Sequence, residues 1–149
     1  MNRADGLLEV YTDLDFHTYI ALSDEICRIT RKDLETDMVN HARVFSYYAA
    51  LLEEARKDVE IHENKLEQRI VDAKMDATEA LKSEGVRATV AAVESLAMSN
   101  ADVREAQDAL SNLKYKMGLL RSLTSALSHK KDMLVQLSSN ERAEKKLYT

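Results

Sequence analysis

From Thr18 to His41 the pattern is helical, and Ile20, Ile26, Ile29, Leu34 and Met38 recur at roughly helical spacing. A longer pattern runs from about Ala42 to Lys82. Its stripe is Val44, Tyr48, Leu51, Ala55, Val59, His62, Leu66, Ile70, Ala73, Ala77 and Leu81, spaced by steps of 4, 3, 4 and then 4, 3, 4 again. That is a period of roughly 11 residues, about 3.67 per turn, which an ideal helix keeps almost straight along its axis with a slight right-handed supercoil. The remaining positions are densely charged, and Glu53 with Lys57 stands at i,i+4 spacing, which supports a helix by a few tenths of a kcal/mol.

Gly85 is a natural helix stop, because glycine accepts the left-handed conformation that closes many helices. Residues 86–98, VRATVAAVESLAM, are small and apolar and suit a short helix or an irregular connector. Ser99 to Asp102 has the spacing of a capping box with Asp in place of the usual Glu. A last helix is predicted from about Ala101 to Leu137 or beyond. Its stripe is Val103, Ala106, Leu110, Leu113, Met117, Leu120, Thr124, Leu127, Lys131 and Leu134, with steps alternating 3 and 4, and Leu123 and Leu137 widen it. This is a heptad pattern, so the helix packs either on the 42–82 helix or on copies of itself. An exposed stripe would leave each large side chain about 1.5–3 kcal/mol short of its burial energy.

These elements predict an all-α chain of long helices in a hairpin or coiled-coil arrangement. They divide it into an acidic N-terminal arm over 1–16, an N-terminal helical region over 17–85, and a connector with the heptad helix over 86–149, together forming one domain. The oligomer seam is expected at Leu110, Leu113, Met117, Leu120, Leu127 and Leu134.

Composition agrees with few chain reversals: the 149 residues include no Pro, three Gly and no Trp. One cysteine, Cys27, excludes an intramolecular disulfide and fits a reducing cytoplasm. No stretch approaches the roughly 20 apolar residues of a membrane span, and the acidic start has no apolar run of a signal peptide. The net charge of −5 argues against delocalised attraction to nucleic acid. The charge is uneven, however. Residues 1–40 carry four basic and nine acidic groups, whereas residues 86–149 carry ten and seven.

The chemistry of an enzyme is hard to assemble from these residues. Gly6, Gly85 and Gly118 are isolated, which excludes a phosphate-binding P-loop. His17, His41, His62 and His129 are scattered, and no paired E-x-x-H motif stands ready for a metal. His62, on the apolar stripe, reads as a hydrogen-bonded seam histidine, and Cys27 as a small core residue. No catalytic residue, metal or cofactor is expected. Binding is better represented. From Ala109 to Lys131 there is no acidic residue, and Lys114, Lys116, Arg121, Lys130 and Lys131 alternate with Ser111, Ser122, Ser125, Ser128 and Tyr115. Cations, hydroxyls and a ring suit a nucleic-acid backbone. They equally suit a solvated face whose acidic complement lies on a neighbouring helix. Lys65, Arg69 and Lys74 form a second candidate, interleaved with Glu63, Glu67 and Asp72.

Two segments carry a resemblance to a known family. The stretch from Asp13 to Arg69, DLDFHTYIALSDEICRITRKDLETDMVNHARVFSYYAALLEEARKDVEIHENKLEQR, has an acidic entry, a helix, an aromatic centre at Phe45, Tyr47 and Tyr48, and a charged helix. The stretch DVREAQDALSNLKYKMGLLRSLTSALSHKKDMLVQLSSNERAE ends in a basic pair, an apolar step and an R-x-E tail. Together they resemble bacteriophage recombination mediators of the UvsY type. The resemblance implies a helical protomer assembled into a ring-like homo-oligomer through C-terminal helices. It implies binding to single-stranded DNA, displacement of a single-strand-binding protein, and loading of a RecA-type recombinase, in the host cytoplasm and with no chemistry of its own. It further implies DNA contacts on the middle helix, hence at Lys65, Arg69 and Lys74. The alternative is a coiled-coil scaffold or adaptor with no nucleic-acid role.

Overall fold

A computed structural model describes residues 14–30 and 33–147. Most of the expected acidic arm, residues 1–13, lies outside the described residues. The described chain is helical throughout: α1 is Phe16–Cys27, α2 is Leu34–Ser83, α3 is Val90–Ser99 and α4 is Ala101–Leu147. No strand occurs among the described residues.

The break expected near His41 falls earlier, and its cause is local. Arg28 is extended, with ψ 138°, and ends α1. The Asp33 carboxylate then accepts the amide of Thr36 at 3.3 Å, and Asp37 accepts the amide of Thr30 at 2.7 Å. Two side-chain acceptors thus satisfy amides at the turn and start α2 at Leu34. Glu35 and Asp37 add negative charge where the helix dipole is positive. Nothing comparable interrupts the chain at His41 and Ala42. Ile20 and Met38, two of the apolar residues that recur at helical spacing in this segment, are both exposed.

The chain divides into two compact units. One comprises the chain up to Ala55 together with the part from Lys116 onward, and the other is Arg56–Tyr115. In the first, Leu14, Leu34, Tyr48, Leu51, Leu52, Ala55, Leu120, Leu123, Leu127 and Leu134 form the buried apolar set. The α2 stripe therefore continues backward through His41 to Leu34, both buried. On α4 the heptad reading needs one correction. Lys131 is exposed and Lys130 is buried, so the covered edge there runs Leu123, Leu127, Lys130 and Leu134. Shifting by one residue turns the face by about 100°, and the Lys130 ammonium, on the covered side, donates to the Ile26 carbonyl at 3.0 Å.

In the second unit Ala73, Ala97 and Val103 close a small core, with Leu66 and Ile70 packed against it. Within the small-residue segment 86–98 a true helix, α3, begins at Val90, and its Ala97 reaches that core. Gly85, at φ 70°, ends α2. The amide of Val86 bonds the Leu81 carbonyl at 2.9 Å and that of Gly85 bonds Lys82 at 3.1 Å, the paired bonds of a Schellman stop. The cap of α4 is Asn100, not Ser99: its side-chain oxygen accepts the amides of Asp102 at 2.8 Å and Val103 at 3.4 Å. Ser99 instead donates its hydroxyl to the Leu96 carbonyl at 2.7 Å, closing α3.

Candidate nucleic-acid interface

Within the Arg56–Tyr115 unit, Lys65 and Arg69 stand one turn apart on α2 and line one open cleft together with His62 and Gln68. Helical spacing brings them together, since residues three and four apart share a face. The opposite wall comes from α4, through Asp102, Glu105, Ala106 and Ala109, and Asp72 closes one end. The cleft is therefore of mixed charge. Arg69 faces Asp102 at 3.9 Å across it. Lys65 is exposed and makes no ion pair among the described residues. His62 is half-buried, and its Nδ1 lies 2.8 Å from the Asp58 carbonyl. A carbonyl only accepts, so Nδ1 carries the hydrogen of this bond.

Other candidate cations of this unit are matched by carboxylates. Lys74 pairs with Glu94 of α3 at 3.5 Å, and Lys114 pairs with Glu63 of α2 at 2.7 Å. For both, the acidic complement on a neighbouring helix is the one realised. Such exposed pairs contribute little to stability, about 0.2–1 kcal/mol, but they lower the positive potential a phosphate would meet.

The basic run of α4 in the other unit separates into different environments. Arg121 is exposed with no ion pair among the described residues, beside exposed Ser122 and Ser125. Lys116 is half-buried, and Lys131 is exposed and lies 3.7 Å from Asp132. Lys130 is removed from the candidate strand contacts: its side chain is buried and its ammonium donates to the Ile26 carbonyl at 3.0 Å. A strand lying on the surface would not reach it. The seam residues also need correction. Leu110, Leu120, Leu127 and Leu134 are buried within one chain, while Leu113 and Met117 are half-buried. The first four are spent on the chain's own core and offer no surface to a second copy.

Sequence reasoning missed three features. Gln68 lines the cleft, and its position three residues from Lys65 on the same face was visible in the spacing. Arg43 lines an apolar pocket with Ile26, Val44, Tyr47 and Tyr48. The capping role of Lys130 joins residues 104 positions apart, and no local pattern announces it. Burial pushes the Cys27 thiol up, opposed in part by Lys130, so the thiolate is disfavoured. Among the described residues no three His, Cys, Asp or Glu side chains gather to hold a metal ion, and no helix is long and apolar enough to cross a membrane. In comparisons with known proteins, no family model, curated protein or solved structure matches the chain.

Proposed function

We propose that this chain is a recombination mediator: a non-enzymatic helical protein that binds single-stranded DNA and helps load a RecA-type recombinase onto strands coated by single-strand-binding protein. Its likeness in sequence to UvsY-type mediators over 13–69 and 102–144 supports the reading, and the long helices are the architecture that likeness implies. The observation that carries it is the α2 cleft, where Lys65, Arg69, His62 and Gln68 share one open face. Lys65 and Arg69 are two of the residues the likeness assigns to the strand. With Asp72, Asp102 and Glu105 in the same cleft, one copy binds weakly. Repetition in a homo-oligomer supplies the avidity that a single patch lacks. Exposed Ile61, Val71 and Met75 on α2 are apolar groups left for a second copy to cover, in place of the α4 leucines.

Fluorescence anisotropy with a labelled strand of roughly 40 nucleotides, titrated at several salt concentrations, tests this. Binding should weaken steeply with salt, and Lys65→Ala with Arg69→Ala should flatten the log–log slope by about 1.4 if each removes one contact worth ~0.7. An unchanged slope would remove the cleft from the DNA path.

A second reading, a helical scaffold or adaptor without nucleic-acid binding, is favoured by the pairing of the cations. Arg69, Lys74, Lys114 and Lys131 each face a carboxylate, and Lys130 is buried. Absence of strand binding by the wild-type chain at low salt would select it.

A further inference from the structure

We propose that α1 is an autoinhibitory cover, which withholds the Lys130 ammonium of α4 while docked and returns it to the surface on opening. The contact lies within the unit that contains α1. Its role as inhibition rests on the strand-binding reading above, whereas the opening itself does not.

Within the run from Ala109 to Lys131, Lys130 is the one basic residue that is buried. Lysine is almost never fully buried unless a partner meets its charge. No carboxylate pairs with Lys130 among the described residues. Its ammonium carries three hydrogens, and the described acceptor is the Ile26 carbonyl at 3.0 Å. The head of the side chain therefore lies against the last turn of α1. Burial pushes the thiol of the next residue, Cys27, up, and Lys130 opposes that shift, which agrees with the same placement. The contact has a favourable side. Carbonyls at the end of a helix lack partners and carry the negative end of its dipole, and the last turn of α1 has no basic residue of its own. It also has a cost, because docking α1 takes a cation out of water with a single hydrogen bond in return.

Little else holds α1. None of its residues is buried. Among the described residues the Lys130 bond is the one hydrogen bond that joins α1 to α2 or α4. An apolar contact comes from half-buried Ile26, which lines a pocket with Val44, Tyr47 and Tyr48 of α2. By contrast Leu120, Leu123 and Leu127 of α4 are fully buried. A segment with few buried apolar contacts opens at the low end of the free-energy range while the core stays closed. When α1 opens, the Lys130 ammonium is freed beside exposed Lys131, and adjacent cations replace a single one on that face. A phosphate backbone then meets a stronger local field.

Acetylation of the full chain by a low dose of acetic anhydride, followed lysine by lysine by mass spectrometry, tests the cover alongside amide hydrogen exchange. In the wild type Lys130 should react more slowly than Lys131. Ile26→Asn removes an apolar contact without adding charge. It should speed α1 exchange and Lys130 acetylation together, by about tenfold for a half-buried side chain. Lys131 acetylation and the amides over Leu120–Leu127 should keep their wild-type rates. Equal reactivity of Lys130 and Lys131 in the wild type would overturn the proposal. So would α1 exchange that quickens without Lys130 acetylation, or core amides that open with α1. Should Ile26→Asn fail to fold, the wild type in urea below its unfolding midpoint gives the same reading: Lys130 acetylation and α1 exchange must rise together, ahead of the core.

The inhibition is read separately, by anisotropy with the labelled strand. Ile26→Asn should bind more tightly, with a log–log salt slope steeper by about 0.7, and Lys130→Ala in the same chain should cancel the gain. Equal slopes for the wild type and Ile26→Asn, in chains that do bind, overturn the inhibition alone. Absence of binding by both removes the strand itself as partner.

Discussion

Leu127→Ala tests whether the α4 leucines serve the chain's own core or a seam between copies. Leu127 is 0 % exposed, between Leu123 at 0 % and Leu134 at 1 %. Truncation removes the side chain beyond Cβ from a site with no solvent to fill it. Leu→Ala at such sites costs about 2–5 kcal/mol, the spread reflecting how far the walls collapse. For a chain of this size each kcal/mol lowers the melting temperature by roughly 2–4 °C, so the expected fall is about 4–20 °C. The assay is thermal and urea unfolding followed by helicity, at two protein concentrations, with sedimentation of the folded protein alongside. The mutant should be less stable at both concentrations, with an unchanged mass for the folded species. A loss under about 1 kcal/mol would refute the burial. A mass that falls while the separated chains remain folded would return Leu127 to a seam between copies.

Gly85→Ala should destabilise by about 1–2 kcal/mol, seen as a lower urea midpoint, because φ 70° is strained for any residue with a Cβ. The site is sterically open, with nothing within 4 Å of an added Cβ, so a neutral result would refute the left-handed stop itself. Asn100→Ala should cost about 0.5–2 kcal/mol through the two α4 amides it leaves without their acceptor, and Asn100→Asp should restore most of that. An equal loss in both variants would show that the cap is not the source.

The helices were legible because their signals are local. The α2 stripe from Val44 to Leu81 contains no exposed residue in the structure, and Gly85 closes that helix where a left-handed residue was expected. Boundaries set by side-chain acceptors were harder. Asp33 and Asp37 start α2 through bonds to amides three and seven residues away, and Asn100 outcompetes Ser99 as the cap of α4. Each candidate was present in the sequence, but several polar residues competed for the same role. Of the candidate cations, Lys65, Arg69, Lys114, Arg121 and Lys131 are exposed, Lys74 and Lys116 half-buried, and Lys130 buried. What each of them faces was not readable, because an ion pair such as Lys114 with Glu63 depends on which turn of one helix lies beside which turn of another.

The sequence alone determined that this chain is helical, that its helices are long, and where their apolar stripes run. Those properties follow from spacing within a few residues and from a near-absence of chain-reversing residues. The tertiary structure decided how each stripe is used. It turned the α4 leucines inward, set Arg69, Lys74, Lys114 and Lys131 against carboxylates, and carried Lys130 across 104 residues to the end of α1. A periodic pattern states that a face must be covered, but not by what. Helices meet through side chains far apart in sequence, and only their packing selects the partner.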